Sequence, residues 1–317
     1  MRQWRVLIGS RSFGKASADH VTQLEAAGCE VIPNRVGRAY RATELHEALR
    51  GVDAIITGTD ELTAEVIAAA DRLRTIAKHG VGVDTIDLAA ARERGIVVTA
   101  TPGAIQDSVA DLTLALILAL ARRIVPAHLS LRDGPWEGFI GVELRGKTLG
   151  LVGLGRIGKE VCGRAQAFGM RVVAFDPYPD EVFGATHDVT FLSLPDLLAT
   201  ADVVSLHAGL AGGAAPLIGP AELAAVKPGS LLINTARGHL VDEAALTDAL
   251  REGRLAGAGL DVFTAEPPGH SPLLALDNVV LTPHIGGQTV EGLLRMGQMT
   301  VENCLRALRG EEPLFTV

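Results

Sequence analysis

Apolar blocks of strand length alternate with amphipathic stretches of helix length along almost the whole chain. Residues 4–9 form an apolar run, residues 18–27 repeat apolar side chains at helical spacing up to Gly28, and residues 30–32 are apolar again. Thr43 is placed to cap a helix over 44–49, 54–57 reads as a strand, and Thr63 opens a helix to Ala70. Two further strands, 73–77 and 96–98, flank a helix over 87–94 that Gly95 closes. Strands separated by helices imply a parallel sheet with helices on both faces. The pattern changes at Thr101-Pro102-Gly103, where a long helix over 107–123 is expected, followed by an irregular piece at Arg132-Asp133-Gly134-Pro135-Trp136. A second β-α series runs from Thr148 to Thr282-Pro283-His284, and one helix over 290–308 closes the chain with no sheet of its own to cover.

Length favours two cores, since the chain has 317 residues. A hydrophobic fraction of 48% with 21% charged residues excludes a disordered chain. The formal net charge of −8, with no basic run, argues against nucleic acid as a partner. The most apolar stretch, 112–121, lies between Asp111 and Arg122-Arg123 and is too short to span a bilayer. It must be buried in a core or against a second subunit, so no membrane partner is expected. Residues 6–8 are too short for a secretory apolar segment. Cys29, Cys162 and Cys304 are scattered, without metal spacing or a disulfide pattern, and a cytoplasmic protein without metal is the expectation.

The second β-α series opens on a dinucleotide fingerprint. A strand over 149–152 runs into Gly153-Leu154-Gly155-Arg156-Ile157-Gly158, a helix over 159–168 follows, and a strand over 171–175 ends in Asp176. Gly153 permits the tight turn, Gly155 lets the backbone approach a pyrophosphate, and Gly158 lets helix and strand pack closely. Asp176 is in register to accept from ribose hydroxyls and would repel a 2′-phosphate, which favours NAD over NADP. The expected fold class is therefore α/β, with two doubly wound parallel-sheet domains. A Rossmann cofactor domain over 101–285 is inserted into a flavodoxin-like substrate domain made of 1–100 and 286–317. The crossovers fall near 99–103 and 284–288, and a cleft between domains joined by two linkers suits hinge closure.

Three stretches near the end carry candidate chemistry: Asn234-Thr235-Ala236-Arg237-Gly238, Asp261-Val262-Phe263-Thr264-Ala265-Glu266-Pro267 and Thr282-Pro283-His284-Ile285-Gly286-Gly287. Each follows a strand, and strand ends are where ligands bind in a doubly wound sheet. A guanidinium (Arg237), an imidazole (His284) and a carboxylate to orient it (Glu266) are what reduction of a 2-oxo acid needs. Singly, Arg237 reads equally as a surface arginine, Glu266 as a loop acid and His284 as a turn residue; together on one nucleotide-binding sheet they read as an active site. The backbone of His207, at the end of the strand over 203–206, lines the cofactor side. His79 is the rival proton donor. His20, His46, His128, His187, His239 and His270 read as surface or turn residues.

With these residues in place the chain resembles the D-isomer-specific 2-hydroxyacid dehydrogenases, over essentially its whole length. Gly80-Val81-Gly82-Val83-Asp84-Thr85-Ile86-Asp87 and Ser108-Val109-Ala110-Asp111-Leu112-Thr113 add to the likeness, which is greatest to phosphoglycerate-dehydrogenase-like members. The resemblance implies that Arg237 binds the substrate carboxylate and carbonyl, that His284 is the acid/base and that Glu266 pairs with it. It implies cofactor contacts from Arg156, Ile157, His207, Ala208, Thr235, Ala236, Asp261, Gly286 and Gly287. It implies substrate contacts from Lys78, His79, Gly80, Val81 and Gly82, and a homodimer through the 107–123 helix. No regulatory domain is expected after the catalytic unit. Two departures stand out. Thr57 replaces an arginine that several phosphoglycerate dehydrogenases carry, which weakens the case for a phosphorylated substrate, with Lys78, Arg11 and His79 as candidates to replace it. Gly209-Leu210-Ala211-Gly212 replaces Pro-Leu-Thr-Pro. An NAD-sensing corepressor-like protein and a formate or phosphite dehydrogenase are the alternatives, and no residue singles out one acid.

Overall fold

The computed structural model describes residues 4–209 and 215–317. The departure at Leu210-Ala211-Gly212 lies outside the described residues. The chain divides into two compact units, residues 1–105 with 287–317, and residues 106–286. Residues 101–105 thus stay with the first unit. Thr101 N–H donates to the Gly80 carbonyl at 2.9 Å, and Arg295 Nε donates to the Ala104 carbonyl at 2.8 Å.

In the first unit β1 (Trp4–Ile8), α1 (Asp19–Ala26), β2 (Cys29–Ile32), α2 (Ala42–Ala48), β3 (Ala54–Thr57), α3 (Ala64–Ala69), β4 (Thr75–Lys78), α4 (Leu88–Glu93) and β5 (Val97–Thr99) follow one another. The strands form a five-stranded parallel sheet in the order β2-β1-β3-β4-β5, the flavodoxin-like order. Successive strand side chains point to opposite faces. Leu7, Ile55 and Ile76 therefore pack with Leu45 of α2, with Leu49 just after it, and with Val66 and Ile67 of α3. Val6, Ile8, Ala54 and Ile56 pack on the other face with Leu24 of α1 and with Val301, Cys304 and Leu308 from the end of the chain. Thr63 caps α3 by accepting from Val66 N–H. The cap of α2 is Arg41 and not Thr43. The helix starts at Ala42, and Glu44 Oε2 reaches back to Arg41 N–H at 2.9 Å.

The second unit contains α5 (Gln106–Ala121), α6 (Ile124–Asp133), β6 (Thr148–Val152), α7 (Arg156–Ala167), β7 (Arg171–Phe175), α8 (Glu181–Thr186), β8 (Val189–Phe191), α9 (Leu194–Thr200), β9 (Val203–Leu206), α10 (Pro220–Ala225), β10 (Ser230–Asn234), α11 (Glu243–Arg251), β11 (Leu255–Leu260) and β12 (Val279–Leu281). Its seven-stranded parallel sheet has the order β12-β11-β10-β9-β6-β7-β8. The order reverses direction between β6 and β9, which makes their C-terminal ends the switch-point crevice of a Rossmann sheet. Leu149, Leu151 and Ile233 pack under Leu116, Ile117 and Val161 of α5 and α7, and Val152, Val204 and Leu232 pack under Leu197, Leu246 and Leu250 of α9 and α11. Back in the first unit, α12 (Val290–Arg309) supplies Val301, Cys304 and Leu308, with Thr289 as its N-cap at 3.0 Å from Gly292 N–H. Its buried Asn303 donates to the Ala100 carbonyl at 3.0 Å and accepts from Leu314 N–H at 2.8 Å.

The helix expected over 107–123 is α5, and a second helix that the sequence reading left unassigned follows it directly. α5 stops at Ala121, Arg123 takes a left-handed φ of 54°, and α6 runs on to Asp133 through the piece expected to begin an irregular stretch. Pro126 sits in the first turn of α6, where a missing N–H costs no helical hydrogen bond. The apolar character of α5 is accounted for within the unit, where it packs on α7, β10 and β11. Among the described residues no helix is long and apolar enough to cross a membrane.

Candidate active site

The glycine turn after β6 is shaped by what lies against it. A side chain on Gly153, whose φ is 96°, would come within 2.8 Å of Ala208 N and the His207 carbonyl carbon. The β6 and β9 ends can approach this closely only because that position is glycine. A Cβ on Gly158 would lie 2.4 Å from the Gly153 carbonyl oxygen, whereas one on Gly155 would meet nothing within 4 Å. Space at Gly155, and an α7 N-terminus whose N-cap residue makes no side-chain cap, leave a cradle of backbone N–H groups suited to a pyrophosphate. Arg156 is exposed and Ile157 half-buried at this helix start. Asp176 Oδ2 accepts from Leu154 N–H at 2.8 Å, so the acid at the end of β7 also fixes the turn; Oδ1 accepts from Tyr178 N–H at 2.9 Å. These residues fit a dinucleotide: a glycine cradle, a helix N-terminus and an acid at ribose distance in sequence.

On the β9 side, His207 N–H donates to the Val152 carbonyl at 2.8 Å and its Nε2 lies 2.8 Å from Ser205 Oγ. Burial pushes this imidazole down to about 4, so it is neutral at physiological pH. That argues against a proton-donor role for His207. Thr235 is buried after β10, its Oγ1 3.0 Å from Thr113 Oγ1 of α5.

Three turns of this unit bring the candidate catalytic groups together. Asn234, at the end of β10, accepts from Ala236 N–H at 3.0 Å and donates to the Arg237 carbonyl at 2.8 Å, which presents Arg237 in extended backbone. Arg237 Nη1 donates to the Ala236 carbonyl at 2.7 Å. The next residue is again sterically fixed: a Cβ on Gly238 would fall 1.9 Å from the Phe263 carbonyl carbon. That contact seats the β10 turn on the β11 turn. Phe263 N–H in turn donates to Glu266 Oε1 at 3.2 Å, and Glu266 Oε2 is 2.7 Å from His284 Nδ1. Burial pushes the Glu266 carboxyl upward. The hydrogen bond and charge of His284, the Phe263 N–H and the charge of Arg237 together outweigh it, and the carboxyl titrates below its usual range.

Asp261 builds the third turn. It is 1% exposed, and its carboxylate accepts from Thr282 Oγ1 at 2.6 Å and from Ile285 and Gly286 N–H, each at 2.8 Å. Burial raises its pKa against the pull of these bonds. A side chain on Gly286 would crowd Asp261 Oδ2 at 3.0 Å. His284 sits between these anchors with a left-handed φ of 53°, its N–H shared between the Asp261 and Thr282 carbonyls at 2.9 and 3.1 Å. Sequence reading singled out Asp261 for the cofactor; its place in holding the histidine turn was missed, as were those of Asn234 and Ser205. The signal was present in Asp261 and Asn234 as polar residues ending apolar strands.

The remaining candidates belong to the first unit. Gly287 is one, a position where a Cβ would lie 3.2 Å from Ile105 Cδ1. Lys78 is the last residue of β4, and its Nζ donates to the Gly58 carbonyl. His79 follows it and is buried, while Gly80, Val81 and Gly82 are partly exposed. Burial first, then the charges of His20 and Lys78, hold His79 down at about 3, which removes it as a proton donor at neutral pH. His20, expected at the surface, is buried. α1 lies under α12, where a Cβ on Gly297 would be 2.2 Å from the His20 ring.

Residues 114–286 match the family model described as D-isomer specific 2-hydroxyacid dehydrogenase, NAD binding domain. The chain is 44% identical over 287 residues to a D-3-phosphoglycerate dehydrogenase of Methanocaldococcus jannaschii, a match covering 89% of this chain and 55% of that one. It is 43% identical over 275 residues to a glyoxylate reductase of Korarchaeum cryptofilum, covering 84% and 83%. The chain thus spans about half the length of the phosphoglycerate dehydrogenase and most of the glyoxylate reductase. The crystal structure of the TT0316 protein from Thermus thermophilus superimposes with a TM-score of 0.90 at 47% identity over 99% of both chains. By sequence, fold and the match over its second unit, the chain belongs to the D-isomer-specific 2-hydroxyacid dehydrogenase family.

Proposed function

We propose that the protein is an NAD-dependent oxidoreductase that interconverts a 2-oxo acid and the corresponding D-2-hydroxy acid. The observation that carries this reading is the His284–Glu266 pair at 2.7 Å, with Arg237 near enough for its charge to act on the same carboxylate. Glu266 holds the imidazole at Nδ1, and the proton exchanged with the substrate oxygen is assigned to Nε2. Glu266, ionised through the physiological range, favours the protonated imidazole. NADH, when bound, supplies the hydride that C2 of the oxo acid receives. The imidazolium gives its Nε2 proton to the oxygen that was the carbonyl, so a hydroxyl forms and the ring is left neutral. Arg237 offers a planar fork of donors to the substrate carboxylate and to the developing oxyanion.

Lys78 and residues 80–82 supply the second set of substrate contacts, with the Val81 and Gly82 N–H groups on the carboxylate and the buried His79 behind them. Thr57 favours an acid without a phosphate, because its hydroxyl donates to the buried Asp60 at 2.8 Å where an arginine would add positive charge. Asp176 selects NADH over NADPH. Asp261, His207, Ala208, Thr235, Ala236, Gly286 and Gly287 complete the cofactor contacts. Three buried, unpaired cysteines support a reducing, cytoplasmic setting. The protein acts as a homodimer through the outer side of α5, extended by α6 and the segment after it. Ile124, Leu129, Leu131, Trp136 and Ile140 there are all exposed apolar side chains, Trp136 at 92% and Ile140 at 97%.

The test is NADH oxidation with glyoxylate, hydroxypyruvate, 3-phosphohydroxypyruvate and branched 2-oxo acids, run beside NADPH. Turnover with an unphosphorylated acid and NADH is expected. Turnover of none of them, or a preference for NADPH, contradicts the reading.

A further inference from the structure

The end of β4 carries a buried imidazole whose polar contacts all lead back to the segment after β1. His79 is 5% exposed, and its N–H lengthens the sheet by one bond, to the Thr57 carbonyl at 2.9 Å. Its Nδ1 lies 3.3 Å from Ser10 Oγ and 3.2 Å from Ser12 Oγ, and the two hydroxyl oxygens are 3.3 Å apart. The Phe13 ring meets the imidazole at 86° with centroids 5.5 Å apart. Nε2 is buried without a hydrogen-bond partner among the described residues. A side chain that merely filled this space would do so better as a hydrocarbon, with no ring nitrogen left unpaired. What the imidazole adds is a polar atom that joins two hydroxyls of the β1 segment.

The residues that follow are the ones this junction controls. Gly80 leaves the sheet with a φ of 153°, and its carbonyl accepts from Thr101 N–H at 2.9 Å and Thr101 Oγ1 at 3.1 Å. Lys78, one residue before His79, reaches the Gly58 carbonyl after β3. Residues 80–82 are therefore held from β3 through Lys78, from Thr101 through Gly80, and from β1 through His79.

We propose that His79 is a positioning residue that locks residues 10–13 to the end of β4 and so fixes the conformation in which residues 80–82 hold the 2-oxo acid carboxylate. This rests on the reading of residues 80–82 as substrate contacts. The neutral ring brings no charge to the site, so its effect is on geometry and not on attraction of an anion.

Hydrogen exchange on the intact protein reads the lock itself. In His79→Phe, which keeps the bulk and loses the nitrogen, peptides covering 9–13 and 79–83 should exchange about tenfold faster while those of α7 keep their rate. Kinetics with NADH and glyoxylate read the consequence. KM for glyoxylate should rise about tenfold in His79→Phe and in the Ser10→Ala/Ser12→Ala variant, with kcat and KM for NADH within about twofold. Combining the two sets should add nothing, because both break one lock. His79→Asn, whose amide oxygen can stand in for Nδ1, should recover most of the affinity. Unchanged exchange over 79–83 overturns the lock, and faster exchange with an unchanged KM overturns its link to the substrate. A wild type that reduces no 2-oxo acid overturns the functional reading, and exchange still decides the lock. Should His79→Phe fail to fold, the serine variant, which removes only two hydroxyls, carries the same expectations.

Discussion

His284 holds a left-handed backbone, φ 53°, which costs a residue other than glycine about 1–3 kcal/mol. The neighbourhood offsets that cost: one buried carboxylate, Asp261, takes three hydrogen bonds from residues 282, 285 and 286. The strain therefore sits on the residue given the proton and is held there by its own turn. The Glu266 carboxyl is shifted in the opposite direction to that of Asp261. Its folded pKa lies below the ordinary carboxylate value, so its ionised form stabilises the folded state at neutral pH, and that stabilisation is lost as pH falls through the lowered value. Glu266→Gln is expected to be less stable than wild type at pH 7, with the difference closing in acid below the ordinary carboxylate range. Denaturant titrations at both pH values check this, and a gap that widens in acid contradicts it. The identities of Arg237, Glu266 and His284 were legible because each follows an apolar strand in a short motif. The backbone angle at His284 and the three bonds to Asp261 were not, since they depend on two turns separated by a strand.

Gly238 decides whether the β10 and β11 turns can sit together. A methyl group at that position would overlap the Phe263 backbone at 1.9 Å, and backbone cannot swing aside as a side chain can. Gly238→Ala should separate Arg237 from Glu266, lower kcat by about a hundredfold and cost about 1–3 kcal/mol of stability through overpacking. Kinetics with thermal unfolding check this, and wild-type kinetics would contradict the role given to the contact. Most elements could be read from the chain because each strand is a short apolar run between a helix stop and a helix cap, as at Thr63 and Gly95. The end of α5 could be read at Arg122-Arg123, but the helix that restarts at once as α6 could not, because nothing local marks Arg123 as a left-handed hinge from which a second helix begins. The cap of α2 was shifted for a similar reason: Thr43 is the better capping residue, but Glu44 bonds back to Arg41 and sets the start two residues earlier.

At the scale of the whole molecule, the longest run of exposed apolar side chains among the described residues lies in the second unit, from Ile124 to Val142. A chain with this surface is expected to sediment at twice its own mass. Trp136→Asp with Ile140→Asp should return it to a monomer that still binds NADH, and a dimer unaffected by both changes would contradict the assigned contact. Turnover is the output that the entire arrangement serves, and one measurement on the full chain tests the proton role most directly. It is kcat for NADH-dependent reduction of the best 2-oxo acid in wild type and in His284→Asn, with NADH affinity measured beside it. The expected result is a fall in kcat of more than about a hundredfold with NADH affinity nearly unchanged. Near-normal turnover in the His284→Asn variant would show that the proton comes from elsewhere and would contradict the account.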